Sequence, residues 1–280
     1  TFSQISIAVP ATTSQMYDVF VYNNAGTATL ELTAWTNDTT RATALTTQNG
    51  VYVKTGATTR RYLGSFRTTT VSGQTEDSQT KRYLWNYYNR VPRLLQRFET
   101  TSSWTYSSTT IRQANAATAN KVETVVGVVE APIALHVSAS GEAAAGVTFK
   151  IGIGLDSTTT FSTGNSPTSW LSASSLPTGL TVNYHAMQQL GYHYYSWNEA
   201  GDASTTTVGG TWGASGTYGT AGISGSILGE LHMSILVAKY LDQAIRARGI
   251  EIDGVSVGDE SNRQRSEEHT SELQSRFGIS

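Results

Sequence analysis

YDVFVYNNAGTATLELTAW, residues Tyr17 to Trp35, carries the reading of the fold. YDVFVYN (Tyr17 to Asn23) and TLELTAW (Thr29 to Trp35) alternate apolar and polar side chains with a period of two, the repeat of a strand with one buried face. Asn24-Ala25-Gly26 supplies turn residues between them, so the two runs predict an antiparallel hairpin. Asn49-Gly50, a pair that tolerates positive φ at both central turn positions, precedes VYVK and starts another strand. RRYLGSF (Arg60 to Phe66) and KRYLWNY (Lys81 to Tyr87) echo one another across a polar Thr/Ser/Gly stretch, predicting neighbouring strands joined by an exposed loop. Further strands are expected at VETVVGVVE (Val122 to Glu130), IALHVSA (Ile133 to Ala139), VTFKIGIGL (Val147 to Leu155), LTVNYHA (Leu180 to Ala186) and GYHYYSW (Gly191 to Trp197). Many short strands with turn signals between them predict an all-β fold, a β-sandwich, with a jelly roll as the specific architecture.

The composition suits that reading and excludes several functions. At 280 residues the chain is long enough for one large β domain or two ordinary ones. Charged residues make up only 14% and the net charge is -2, which disfavours electrostatic tracking of nucleic acid. Cysteine is absent, so disulfide frameworks, Cys-ligated zinc and thiol nucleophiles are excluded. No run approaches the roughly 18 apolar residues of a membrane helix, and no signal-peptide pattern is present, so a soluble chain without membrane insertion is expected. It begins at Thr1 without Met, and a missing N-terminal part is expected.

Charge marks a boundary. Of the first 228 residues 25 are charged, against 15 of the last 52, and all six Trp precede Leu228. Residues 1–228 are therefore expected to form the β domain. GELHMSILVAKYLDQAIRARGIEIDGVSVGDESNRQ (229–264) changes character: Ile235, Leu236, Tyr240, Leu241, Ala244 and Ile245 form a helical stripe that Gly249 ends, and IEIDGVSV turns at Asp253-Gly254. This α-then-β pattern from Met233 is expected to be read-through into an adjacent gene, since Gly229-Glu230 is encodable as a ribosome-binding site. The competing reading is a native C-terminal helix that docks on the β domain. RSEEHTSELQSRFGIS (265–280) resembles a translated sequencing adapter and is expected to be a disordered tail.

Chemistry-bearing residues are sparse. His136, His185 and His193 sit singly in separate strand runs without metal-ligand spacing, as hydrogen-bonded strand residues do. GIGLDS (Gly152 to Ser157) lacks the third Gly of a dinucleotide turn, and Asn37-Asp38-Thr39 matches the glycosylation acceptor pattern, which is common by chance. A glycosidase needs two carboxylates on one sugar bond, and Glu31, Asp38, Asp156 and Glu199 are the candidates whose convergence spacing leaves open. Arg60, Arg61, Arg67, Lys81, Arg82, Arg90, Arg93 and Arg97 form a basic stretch interrupted by acids, read as a salt-bridging surface rather than an anion site. The aromatic run Tyr192-His193-Tyr194-Tyr195-Ser196-Trp197 is the binding candidate. Alternation puts Tyr192, Tyr194 and Ser196 on one face and His193, Tyr195 and Trp197 on the other. Tyr192, Tyr194 and Trp197 are the candidate ligand-binding residues, able to stack on sugar faces if exposed; the competing reading packs them in the core or in a subunit interface. No catalytic set, metal site or cofactor is expected.

WTNDTTRATAL, VYVKTGATTRRYLGSFRT, EDSQTKRYLWNYYNRVPR, RQANAATANKVE, GIGLDST and LGYHYYSW together resemble a family of virion structural proteins of tailed bacteriophages, over about Asp18 to Leu228. RRYLGSFRT and KRYLWNYYNRV are the most specific strings. The resemblance implies a tail-fibre or virion-surface component, located in the virion after assembly in the host cytoplasm, with no catalytic residues to carry over. Its implied partners are further copies of itself, as a homo-oligomer with a trimer foremost, other virion proteins and host surface glycans. A glycan-cleaving tail enzyme and a dedicated carbohydrate-binding receptor module are the alternatives.

Overall fold

A computed structural model describes residues 4–141, 148–162, 168–171, 178–201 and 220–230. The stretches 229–264 and 265–280, read above as foreign to the fold, lie outside it from residue 231 onward. Among the described residues the chain is essentially all-β, with one turn of 3-10 helix at Ala114–Ala116 and no helix long and apolar enough to cross a membrane.

The opening hairpin forms as its alternation demands. β1 (Met16–Asn24) pairs with β2 (Thr27–Ala34) from Tyr17↔Ala34 to Asn24↔Thr27. Ala25 and Gly26 take φ of 49° and 91°, a two-residue turn whose twist matches that of the strands. β3 (Leu45–Gln48) and β4 (Val51–Lys54) repeat the device around Asn49 and Gly50, at φ of 52° and 77°. β5 (Ala57–Arg67) runs beside both β1 and β4, giving a first sheet ordered β2-β1-β5-β4-β3.

KRYLWNY does more than pair with RRYLGSF. It breaks at Tyr83 into β6 (Lys81–Arg82) and β7 (Leu84–Asn86). β7 joins β5 through Gly64↔Asn86 to Phe66↔Leu84, as the echo predicts, whereas β6 joins a different sheet. The intervening 68–80 loop is mostly exposed, with a bridge between Thr68 and Thr75.

β8 (Arg90–Phe98), β9 (Arg112–Gln113), β10 (Lys121–Val126), β11 (Pro132–Gly141), β12 (Thr148–Leu155), β13 (Thr168–Leu171), β14 (Thr178–Met187), β15 (Gly191–Ala200) and β16 (Gly222–Glu230) complete the fold. The second sheet is ordered β13-β12-β15-β10-β6, with β9 on the end of β15, and the third β14-β11-β16-β8. Every pairing is antiparallel except that of β6 with β10. β16 crosses the Leu228 boundary, pairing Gly229 with Val91 and Glu230 with Arg90.

One apolar core joins the three sheets. Phe20 and Tyr62 come from the first, Ile153 and Trp197 from the second, and Leu135 and Ile223 from the third. Beside it lies a buried ion pair, Arg41 Nε to Asp18 Oδ2 at 2.7 Å. Ser65 donates to the same carboxylate, and Arg41 Nη2 also donates to the Gly127 carbonyl at 2.5 Å, tying the loop after β2 to the end of β10. A charge removed from water at this depth persists only with such full pairing.

Candidate functional site

β15 lies inside the second sheet, flanked by β10 and β12, and its alternation divides the aromatic run as expected. Tyr195 and Trp197 turn inward. Trp197 is fully buried, sits opposite Ile153 and packs edge-on against Trp104 with ring centroids 5.8 Å apart. It therefore cannot offer a stacking surface to a sugar, and the expectation that Trp197 serves with Tyr192 and Tyr194 is corrected. An indole opposite aliphatic strand neighbours gains more from the core than from water.

Tyr192 and Tyr194 share the other face. Tyr192 is half-buried, and its hydroxyl donates to Glu123 Oε2 at 2.8 Å, to which Tyr83 also donates. The Arg67 guanidinium lies 4.0 Å from the Tyr192 ring centroid and holds Asp38 through two hydrogen bonds. Tyr194 is half-buried beside Lys121, whose ammonium is 4.9 Å from the ring centroid. Its main-chain N–H donates to Asp156 Oδ1. Of the three predicted residues, Tyr194 offers the ring least engaged by neighbours.

The electrostatics around these tyrosines favour static charges. Burial alone would raise the Glu123 pKa, but hydrogen bonds from Tyr83 and Tyr192 and the Lys121 charge outweigh it and hold the carboxyl below its ordinary value. Burial and then the Glu123 hydrogen bond push both tyrosines well above theirs. A carboxylate that stays ionised and phenols that stay protonated do not exchange protons near neutral pH, as general acid–base catalysis requires. The cluster positions rings.

His193 faces Asp156 Oδ2 through Nδ1 at 2.6 Å and the Leu190 carbonyl through Nε2 at 3.1 Å. Both nitrogens meet acceptors, which suits the doubly protonated ring. Burial opposes that charge, yet the Asp156 hydrogen bond and charge prevail and raise its pKa. The sequence contained both residues and no sign of their pairing, since 37 positions separate them. His136 is exposed and contacts Ser224 Oγ at 2.8 Å, and His185 is exposed.

A second polar cluster lies at the far end of β15 around Glu199, a carboxylate candidate of the sequence whose partners its spacing did not reveal. Glu199 accepts from Trp104 Nε1 at 2.8 Å, Arg112 Nε at 2.9 Å and the Asn115 main-chain N–H at 3.0 Å. Glu99 accepts from the N–H groups of Thr100 and Thr101 and from Asn120 Nδ2. Burial dominates at Glu199 and raises its pKa, whereas at Glu99 the hydrogen bonds outweigh burial and hold it at about 2. Asn115 and Ala116 between them occupy φ of 55° and 50°, strained for residues with a Cβ.

The remaining candidates disperse. Glu31 holds Lys54 and Arg60, whereas Asp38 holds Arg67 and adds its charge to that of Asp156 at His193. Lys81, Arg82, Arg90 and Arg93 pair with Glu76, Asp77, Glu130 and Asp77, and Arg61 Nε donates to the Tyr88 hydroxyl at 2.9 Å. Six of the eight cations of the basic stretch are thus ion-paired within the chain, while the buried Arg97 Nε meets no hydrogen-bond partner among the described residues. Among the described residues no group of three His, Asp or Glu could hold a metal ion. In comparisons with known proteins, no family model matches the chain and no curated protein does.

Proposed function

We propose that the chain is a non-enzymatic structural protein of a phage virion, a tail-fibre or virion-surface module folded as a jelly-roll sandwich, which self-associates and contacts host glycans. The strand order carries this reading. Leaving aside the two-residue β9, the eight strands β8, β10, β11, β12, β13, β14, β15 and β16 fall onto sheets ordered sixth-third-eighth-first and fifth-fourth-seventh-second. All but one of the connections between successive strands change sheet, the exception being β12 to β13. That interleaving supports a jelly roll, a plan recurrent in viral capsid and lectin domains. Contact of the inward faces, as at Tyr184 on Tyr195 with centroids 5.5 Å apart, supports the sandwich. Because one fold serves many functions, the virion assignment draws on RRYLGSFRT and KRYLWNYYNRV, and the glycan contact on Tyr194 beside Lys121.

Replacing Tyr194 by Ala tests the glycan contact. Adsorption of the purified protein to host cells should weaken while its thermal midpoint holds; unchanged adsorption with intact particle assembly rejects the contact and leaves the structural role. A glycan-cleaving enzyme is the second reading, favoured by the opposed shifts of Glu99 and Glu199, since acid and base roles require carboxyls tuned apart. Release of reducing ends from host polysaccharide, abolished in Glu199→Gln, would establish it in place of the non-enzymatic reading.

A further inference from the structure

The register of the third sheet places sixteen side-chain positions on its outward face, in four rows. Phe98, Gly222, Ser138 and Thr181 form the first, and Gln96, Ser224, His136 and Asn183 the second. Leu94, Ser226, Ala134 and His185 form the third, and Pro92, Leu228, Pro132 and Met187 the fourth. None of these sixteen is Asp, Glu, Lys or Arg, the charged pair Arg90 and Glu230 standing one row beyond the fourth, although an ordinary protein surface carries roughly a quarter to a third charged residues. Two of the five large hydrophobic side chains exposed among the described residues lie here, Leu94 at 45% and Met187 at 54%. The face is also low in relief. Its two central strands contribute Ser, Gly and Ala at most positions, and the Phe98 ring lies against Gly222, where a Cβ would come within 2.7 Å of it.

We infer that this face is the contact between two copies of the chain, apposed about a twofold axis. An isologous contact sets a surface against itself, so a charged face would meet like charge, whereas an uncharged one meets no repulsion. An axis lying in the contact along the strands, between β11 and β16, brings β8 of one copy over β14 of the other and sets Leu94 against the Met187 side. Four strands about 4.8 Å apart and seven residues of about 3.3 Å rise cover roughly 450 Å² per copy as a flat footprint. Side-chain relief raises the accessible area removed from the two copies to about 1,000 Å², the lower bound for a specific association. The contact is therefore weak alone and effective in an assembly, where neighbouring contacts raise effective concentration. The inference deepens the self-associating module proposed above and differs from the trimer that the resemblance implies, because a self-apposed face pairs copies by twos.

The chain has no cysteine, which makes the test direct. Ser226→Cys places a single thiol near the centre of the face, and Thr58→Cys, in an exposed stretch of β5, serves as the control. Cross-linking of the full chain with a bismaleimide that spans about 10 Å, the spacing of stacked sheets, should give a covalent dimer from the first and not from the second. Light scattering should give twice the chain mass at high concentration, and Leu94→Glu with Met187→Glu should raise the dissociation constant about 100-fold without changing circular dichroism. A threefold mass that survives both Glu substitutions would overturn the face while keeping self-association. A monomer at every concentration, with no Ser226→Cys dimer, would overturn both.

Discussion

The first and second sheets and the third solve the problem of a sparsely charged chain in opposite ways. In the first two, eight of the twelve strands spend a charged side chain on a neighbour, among them Asp18 on Arg41, Glu31 on Lys54 and Arg60, Arg67 on Asp38, Glu123 on Lys121 and Glu199 on Arg112. In the third, β11 and β14 contain no Asp, Glu, Lys or Arg, and of the β8 arginines Arg93 and Arg90 reach out of the sheet to Asp77 and Glu130. Charge here works inside the molecule, as a fastener between segments far apart in sequence.

The contrast is broken most severely at its most buried pair. Arg41→Ala leaves Asp18 and the Gly127 carbonyl short of a donor in the interior and should cost about 3–5 kcal/mol, measured by urea denaturation with an unchanged m-value. Glu199→Ala strips acceptors from Trp104, Arg112 and Asn115, and a loss of about 2–3 kcal/mol is expected from the unsatisfied donors. Glu199→Gln should recover part of it, since an amide oxygen still accepts. A full loss in the glutamine variant would show that the ionised carboxylate, not its geometry, holds the 99–120 connection.

The pH dependence sharpens the comparison with smaller effects. His193 has a raised folded pKa, so its contribution is complete below the ordinary 6.5 and is lost as pH rises through the folded value. Asp156→Asn should flatten the fall in thermal midpoint above 6.5. Glu99 runs the other way: its contribution is complete above 4.5 and disappears as pH drops through about 2, so Glu99→Gln should blunt acid unfolding in that window. On the outward face of the third sheet, the exposed Asn183→Lys should change unfolding free energy by less than about 0.5 kcal/mol, the range of ordinary surface substitutions. A large loss there would mean that the face is already covered.

What could be read from the sequence follows the range of the interactions involved. The first hairpin and the second turn were legible because two residues decide each, and Ala25-Gly26 and Asn49-Gly50 adopt the positive φ that such turns require, whereas β3, the partner strand before Asn49, was not recognised. The alternation in GYHYYSW correctly divided its side chains between two faces. β8 and β16 were not recognised as strands. RVPRLLQRF reads as a basic stretch, with Pro92 tolerated because β8 has a partner on one side alone, and GISGSILGE has few side chains to show a period. The partners of Tyr192 and Glu199 lie 69 and 95 residues away in Glu123 and Trp104, distances across which a period-two pattern carries no information. The same limit hid the split of KRYLWNY: nothing local tells Arg82 to join β10 and Trp85 to join β5.

β16, the last described strand, lies between β11 and β8 rather than at an edge. During synthesis β8 has no sheet partner until Gly222 to Glu230 have left the ribosome, and β11 can pair only with β14. A chain interrupted after Met187 and before Gly222 therefore carries two adhesive borders that the strands already made cannot close. Insertion of β16 closes both borders at once, pairing with β11 on one side and with β8 on the other, so that the last described strand completes the sheet.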